Sequence, residues 1–170
     1  MTVEKYAKQE FMINGVKREA WIYHPIKSDA IKSTPLPIVF YFHGYSGYVK
    51  DILNDTWGKK EGKNFLTNNF YEYAEKNNFI LVYPQGSIDA LKLPHWNFME
   101  ERRNNKSSAE DFLFVKTILD VLKNDIDLGR IYCMGFSNGA ALCYALANTK
   151  LLNPLFMNFS NARKIVSKLF

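Results

Sequence analysis

Residues 131–147 read IYCMGFSNGAALCYALA. An apolar run meets Gly-Phe-Ser-Asn-Gly at 135–139, and a run rich in Ala and Leu follows. The first run has the composition of a buried strand and the last that of a helix. G-x-S-x-G between them dictates a tight strand-to-helix turn, in which small residues let the backbone pass close by. Such a turn lifts Ser137 above the sheet at the start of the helix. There the helix dipole and unpaired N–H groups favour developing negative charge. Ser137 is the candidate nucleophile. The plainer alternative is a glycine turn whose serine caps a helix. The strand before it and the helix after it weigh against that.

Working outward, alternating residues 3–13 and 16–24 flank Asn14-Gly15, the strongest short hairpin signal. IVFYF (38–42) and FILVY (79–83) are continuous apolar runs, expected as strands buried on both faces of a parallel sheet. Residues 65–77 carry a helical stripe of Leu66, Phe70, Tyr73 and Ala74, best read as core packing. Ser107-x-x-Glu110 reads as a capping box opening a helix with Phe112, Val115, Ile118, Leu119 and Leu122 on one face. Asp127 and Gly129 end that unit, and a strand is expected over 130–136. Residues 84–107 form a long loop, and 153–159 could add one more strand before a last helix. Strands alternating with helices give an α/β fold: a mostly parallel sheet with an N-terminal antiparallel hairpin, in one domain over 1–170.

The chain has 170 residues, 47% hydrophobic and 15% aromatic, which suits a single packed domain and excludes a disordered chain. The net charge of +5 comes from Arg130, Lys150, Arg163, Lys164 and Lys168; residues 1–127 are formally neutral. Charges so spread form no basic stripe, so no nucleic-acid partner is expected. Cys133 and Cys143 read as small buried residues, with no disulfide and no metal spacing, and no cofactor is implied. No apolar run is long enough for a membrane span, and MTVEKYAKQEFMING lacks the apolar core of a signal segment. A cytoplasmic protein is expected on that ground.

In this architecture one oxyanion donor is the N–H after the nucleophile, here Asn138. The second comes from the loop after the third strand. His43-Gly44-Tyr45-Ser46-Gly47 occupies that loop, and the Tyr45 N–H is the candidate. The His43 side chain is read as packed, fixing the loop by a hydrogen bond.

PLPIVFYFHGYSG, YPQG, His95-Trp96-Asn97, Glu110-Asp111 and RIYCMGFSNGA come in an order that resembles the polyhydroxybutyrate depolymerase-like esterases. That group of α/β-hydrolases includes feruloyl and acetyl xylan esterases, and the resemblance covers about residues 18–148. It implies a carboxylic ester hydrolase acting on a small-molecule or polymeric ester. Ser137 would be its acyl-forming nucleophile, Trp96 and Asn97 would line the substrate side, and Glu110-Asp111 would be structural. For Trp96-Asn97, loop packing is the competing reading. Secreted relatives in that group set a second expectation against a cytoplasmic one.

The triad of this architecture runs Ser…Asp/Glu…His along the chain. The 33 residues after Ser137 contain no Asp, Glu or His. The remaining histidines are His24, His43 and His95, with His43 nearest by topology. The expectation is a hydrolase domain incomplete at its C-terminus, with an open sheet edge. Three readings stand: an esterase represented by its N-terminal portion, a non-catalytic relic or binding module, and a subunit completed by a partner chain at that edge.

Overall fold

In a computed structural model, the described residues are 2–26, 33–54, 70–98 and 109–149. A 3-10 turn at Thr2–Lys5 precedes β1 (Ala7–Ile13) and β2 (Val16–Tyr23). Asn14 and Gly15 join them with φ of 48° and 80°, the paired positive values of a type I′ turn. β3 (Leu36–Phe42) and β4 (Ile80–Pro84) are buried at every position. The small helices α1 (Val49–Leu53) and α2 (Phe70–Asn77) lie between them in sequence. β5 (Ser87–Ile88), β6 (Pro94–His95), α3 (Asp111–Leu122), β7 (Ile126–Gly135) and α4 (Asn138–Asn148) complete the described elements.

The main sheet has the order β1-β2-β4-β3-β7, and the pairings β3–β4 and β3–β7 are parallel. β2 joins β4 antiparallel, so the N-terminal hairpin is spliced onto the parallel half. Alternation along β3 divides the core. Ile38, Phe40 and Phe42 pack with Phe114 and Ile118 of α3 and Leu142 and Leu146 of α4. Val39 and Tyr41 pack with Ile52 and Leu53 of α1 and Phe70 and Ala74 of α2. A strand covered on both faces has to be apolar throughout, which is why β3 and β4 read as unbroken runs. Each such Ile or Phe contributes about 1.5–3 kcal/mol through burial. Cys133 and Cys143 are free and buried in the first of these layers. No described helix is long and apolar enough to cross a membrane.

Three expectations change. α3 begins at Asp111, with Glu110 at its N-cap and no side-chain cap, so Ala109 and Glu110 lie before the helix and not within it. The Asp111 carboxylate is engaged elsewhere: it takes the Arg18 guanidinium of β2 at 2.6 Å, both side chains being buried, and the Asn97 N–H at 2.5 Å. β7 starts at Ile126 and not at 130, because Leu36 pairs with Ile126 across a register shift. Within residues 84–107, β5 and β6 form a two-stranded ribbon. Leu66, Ser107 and the strand and helix expected after 152 lie outside the described residues. Among the described strands β7 is an edge, paired only with β3.

Candidate active site

The carboxyl ends of the three parallel strands deliver the site: His43 directly follows β3, Gln85 directly follows β4, and Ser137 follows β7 with Phe136 between. Ser137 is exposed and has φ 49° and ψ −112°, a sparsely populated region for a residue with a side chain. Such a conformation costs about 1–3 kcal/mol and persists only where its surroundings impose it. Here the backbone does so. The Phe136 N–H donates to the Phe42 carbonyl at 3.1 Å, Gly139 N–H to Phe136 at 2.9 Å, and Ala141 N–H to Ser137 at 3.1 Å.

The two flanking glycines leave no room for a side chain. A Cβ at Gly135 would stand 2.5 Å from the Gly139 carbonyl carbon, and one at Gly139 would strike the Phe42 carbonyl oxygen. β7, α4 and the end of β3 therefore meet at backbone distance. Asn138 is the first residue of α4, and N–H groups of a helix's first turn have no acceptor within the helix. Its side chain is buried, accepting the Trp96 N–H on Oδ1 at 2.7 Å and donating to the Trp96 carbonyl at 3.3 Å.

Trp96 is placed as a strut. Its ring is 1% exposed and packs on Phe42 and His43, and its indole N–H donates to the His43 carbonyl at 2.8 Å. It ties the start of α4 to the loop after β3 and is too deeply buried to form a substrate wall. Asn97 is half-buried beside it, its N–H on Asp111 and its side-chain amide reaching the Ala109 carbonyl at 3.4 Å.

The loop after β3 is clasped by side chains from elsewhere. The Tyr45 hydroxyl donates to Asp89 at 2.7 Å, and the Ser46 N–H donates to the Pro94 carbonyl at 2.8 Å. Asp89 is buried, which alone would raise its pKa. The Tyr45 hydroxyl and the Leu93 and Leu91 N–H groups outweigh this and hold it below the usual carboxylate value. His43 is buried with both ring nitrogens engaged: Nδ1 with the Gly44 carbonyl at 2.7 Å, and Nε2 accepting the Gly86 N–H at 2.8 Å. Burial pulls the imidazole from 6.5 to about 4, against the opposing effect of the Gly44 bond. A ring so occupied is not available to take a proton from Ser137. His95 is buried too, with Nδ1 on the Ser87 carbonyl at 2.9 Å, and His24 is exposed after β2. Among the described residues no side chain is hydrogen-bonded to the Ser137 hydroxyl.

Sequence reasoning missed Gln85 and Asp89 as loop anchors, and the Asn138–Trp96 pairing. YPQG carried a signal for Gln85, a polar residue directly after a buried strand. A groove of about 590 Å³ opens at the same end of the sheet, between Lys17, Trp21, Tyr48, Lys50, Gly86 and Ile88. Three strand spacings separate β2 from β7, about 14 Å.

The chain matches no family model, and no curated protein is similar to it in sequence. Solved structures are similar in fold. An S-formylglutathione hydrolase from Agrobacterium tumefaciens superposes with a TM-score of 0.57 at 16% identity, over 89% of this chain and 56% of that one. An acetyl xylan esterase from Aspergillus awamori gives 0.55 at 18%, over 85% and 47%. An alpha/beta hydrolase enzyme from the metagenome of Lake Arreo gives 0.51 at 15%, over 93% and 44%. The chain thus spans about half the length of these structures. Its fold, with the spliced hairpin, the mostly parallel sheet and the serine turn after β7, is that of the α/β-hydrolases.

Proposed function

We propose that the chain carries the nucleophile and oxyanion half of a serine carboxylic ester hydrolase of the polyhydroxybutyrate depolymerase-like group. The observation that carries this reading is Ser137 itself: an exposed serine held at φ 49° by glycine packing, at the first turn of α4. The fold likeness to esterases adds support.

The chemistry is acyl transfer. The Ser137 oxygen bonds to the ester carbonyl carbon, and the carbonyl oxygen takes the negative charge. The Asn138 and Tyr45 N–H groups receive that oxyanion. The alcohol leaves with a proton, and water then releases the acid from the acyl-enzyme. His43 is occupied and His95 is bonded to Ser87, so the base is to be sought outside the described residues: in further sequence, or in a partner chain adding to the β7 edge. Asn97 is the remaining candidate for the substrate side. The groove between Tyr48, Lys50 and Ile88 has room for a substrate portion remote from the ester. The substrate is a small-molecule or polymeric ester.

A second reading, a non-catalytic module with the hydrolase fold, is favoured by a Ser137 hydroxyl that no side chain among the described residues bonds. Treatment with a fluorophosphonate probe decides between them. Stoichiometric labelling that is lost in Ser137→Ala is expected for the esterase. No labelling, with or without added partner material, supports the non-catalytic module.

A further inference from the structure

One peptide of the loop after β3 is gripped from two sides. The Gly44 carbonyl accepts the His43 Nδ1–H at 2.7 Å and the Gly47 N–H at 3.1 Å. A trans peptide is planar, with its N–H opposite its carbonyl. Fixing the Gly44 carbonyl therefore fixes the direction of the Tyr45 N–H, which belongs to the same peptide.

Only the Nδ1–H form of the imidazole can make that bond. This form is imposed from the far side of the ring. Nε2 faces the Gly86 N–H at 2.8 Å and the Gln85 side-chain amide nitrogen at 3.0 Å. Both are donors, so Nε2 has to be bare. Gln85 grips the loop further: its Oε1 accepts the Val49 N–H at 2.9 Å and its Nε2 donates to the Gly47 carbonyl at 3.2 Å. Turning the amide over would set acceptor against acceptor at Gly47, so this orientation is the consistent one. One side chain at the end of β4 thus touches the loop at residues 43, 47 and 49.

We propose that His43 and Gln85 are positioning residues that lock the Gly44–Tyr45 peptide and so fix the direction of the Tyr45 N–H, and that the lock holds only while His43 is neutral. The inference rests on the esterase reading and names what builds one half of its oxyanion site. The charged and titratable groups around the ring are Arg18 of β2 and His95 of β6, and both disfavour a charge on it. Trp96 packs on the ring at 4.8 Å and offers no anion. A proton on Nε2 would face two donors. The ring would then have to leave its place, and the Gly44 carbonyl would lose its shortest bond.

The test uses the whole 170-residue chain with nitrogen-labelled histidine and backbone, followed by NMR through the ring's titration. The expected result is His43 with its proton on Nδ1 at neutral pH, and a Tyr45 amide signal that moves in step with the ring. Gln85→Glu replaces a donor with an acceptor for the protonated ring, so the titration should move up by about one pH unit or more, taking the Tyr45 signal with it. His43→Asn keeps a donor near the Nδ1 position, so Tyr45 should hold its wild-type signal and lose the pH dependence. A proton on Nε2, or a Tyr45 signal that ignores the titration, overturns the lock. None of these readouts needs hydrolysis. If Ser137-dependent hydrolysis of p-nitrophenyl acetate is present, Gln85→Glu should lower kcat about tenfold at a pH about one unit below the ring's raised titration, at unchanged KM. Unchanged kcat overturns the lock. An intact lock in a chain whose Ser137 neither labels nor hydrolyses overturns the esterase reading alone.

Discussion

The turn that carries Ser137 and the loop that carries Tyr45 meet at one site and are held in opposite ways. The serine turn is fixed by absence: Gly135 and Gly139 bring three backbone segments together, and hydrogen bonds between main-chain groups do the rest. The loop is fixed by presence. Side chains of His43, Gln85 and Asp89 reach into it, two of them from 36 or more residues away. A turn made by backbone contact is broken by adding atoms, and a loop held by side chains by removing them.

The largest expected effect follows from the first half of that contrast. Gly139→Ala places a methyl group against the Phe42 carbonyl, where neither β3 nor α4 can give way. A loss of about 3 kcal/mol or more is expected in urea unfolding. An unchanged midpoint would mean that the close approach is not what shapes the turn.

Next comes acid. His43 titrates near 4 in the folded chain and near 6.5 when unfolded. Between those values the unfolded chain binds more protons, so stability falls as pH drops through the window and is unaffected by this group above it. The fall approaches about 3 kcal/mol at the low end. His43→Asn should flatten the slope between pH 6.5 and about 4, read from unfolding curves at several pH values.

Asn138 joins the two regions through Trp96, so Asn138→Ala should cost about 2 kcal/mol, leaving the Trp96 N–H and carbonyl buried without partners. Tyr45→Phe removes a single bond to Asp89, and about 1 kcal/mol is expected. If this smallest change equals the Asn138 one, the loop is anchored chiefly through β5 and β6 and not through α4.

The same contrast explains what could be read from the sequence. Asn14-Gly15, the apolar runs of β3 and β4, and the G-x-S-x-G turn are decided by neighbours in the chain, so local patterns sufficed. The pattern Ser107-x-x-Glu110 fits a capping box and sets the N-cap three residues before Glu110, where the helix before β7 has it. Asp111 instead answers to Arg18, 93 positions away. For Trp96 the family resemblance implies the substrate side, with loop packing as the competing reading, and its partners Asn138 and His43 draw it into the core. Gln85 could be seen as polar after a strand, but nothing local says that it faces Gly47 and Val49. Restraints that span the sheet have no short-range signature.

The most direct test of the central claim, that the serine turn presents the nucleophile of an esterase, is fluorophosphonate labelling followed by mass analysis of the modified peptide. The expected result is one adduct per chain on Ser137, absent in Ser137→Ala and weakened in Gly139→Ala as the turn is distorted. Folded chain that takes up no probe at Ser137, alone or with a base-supplying partner, would contradict the claim and leave a hydrolase fold without its chemistry.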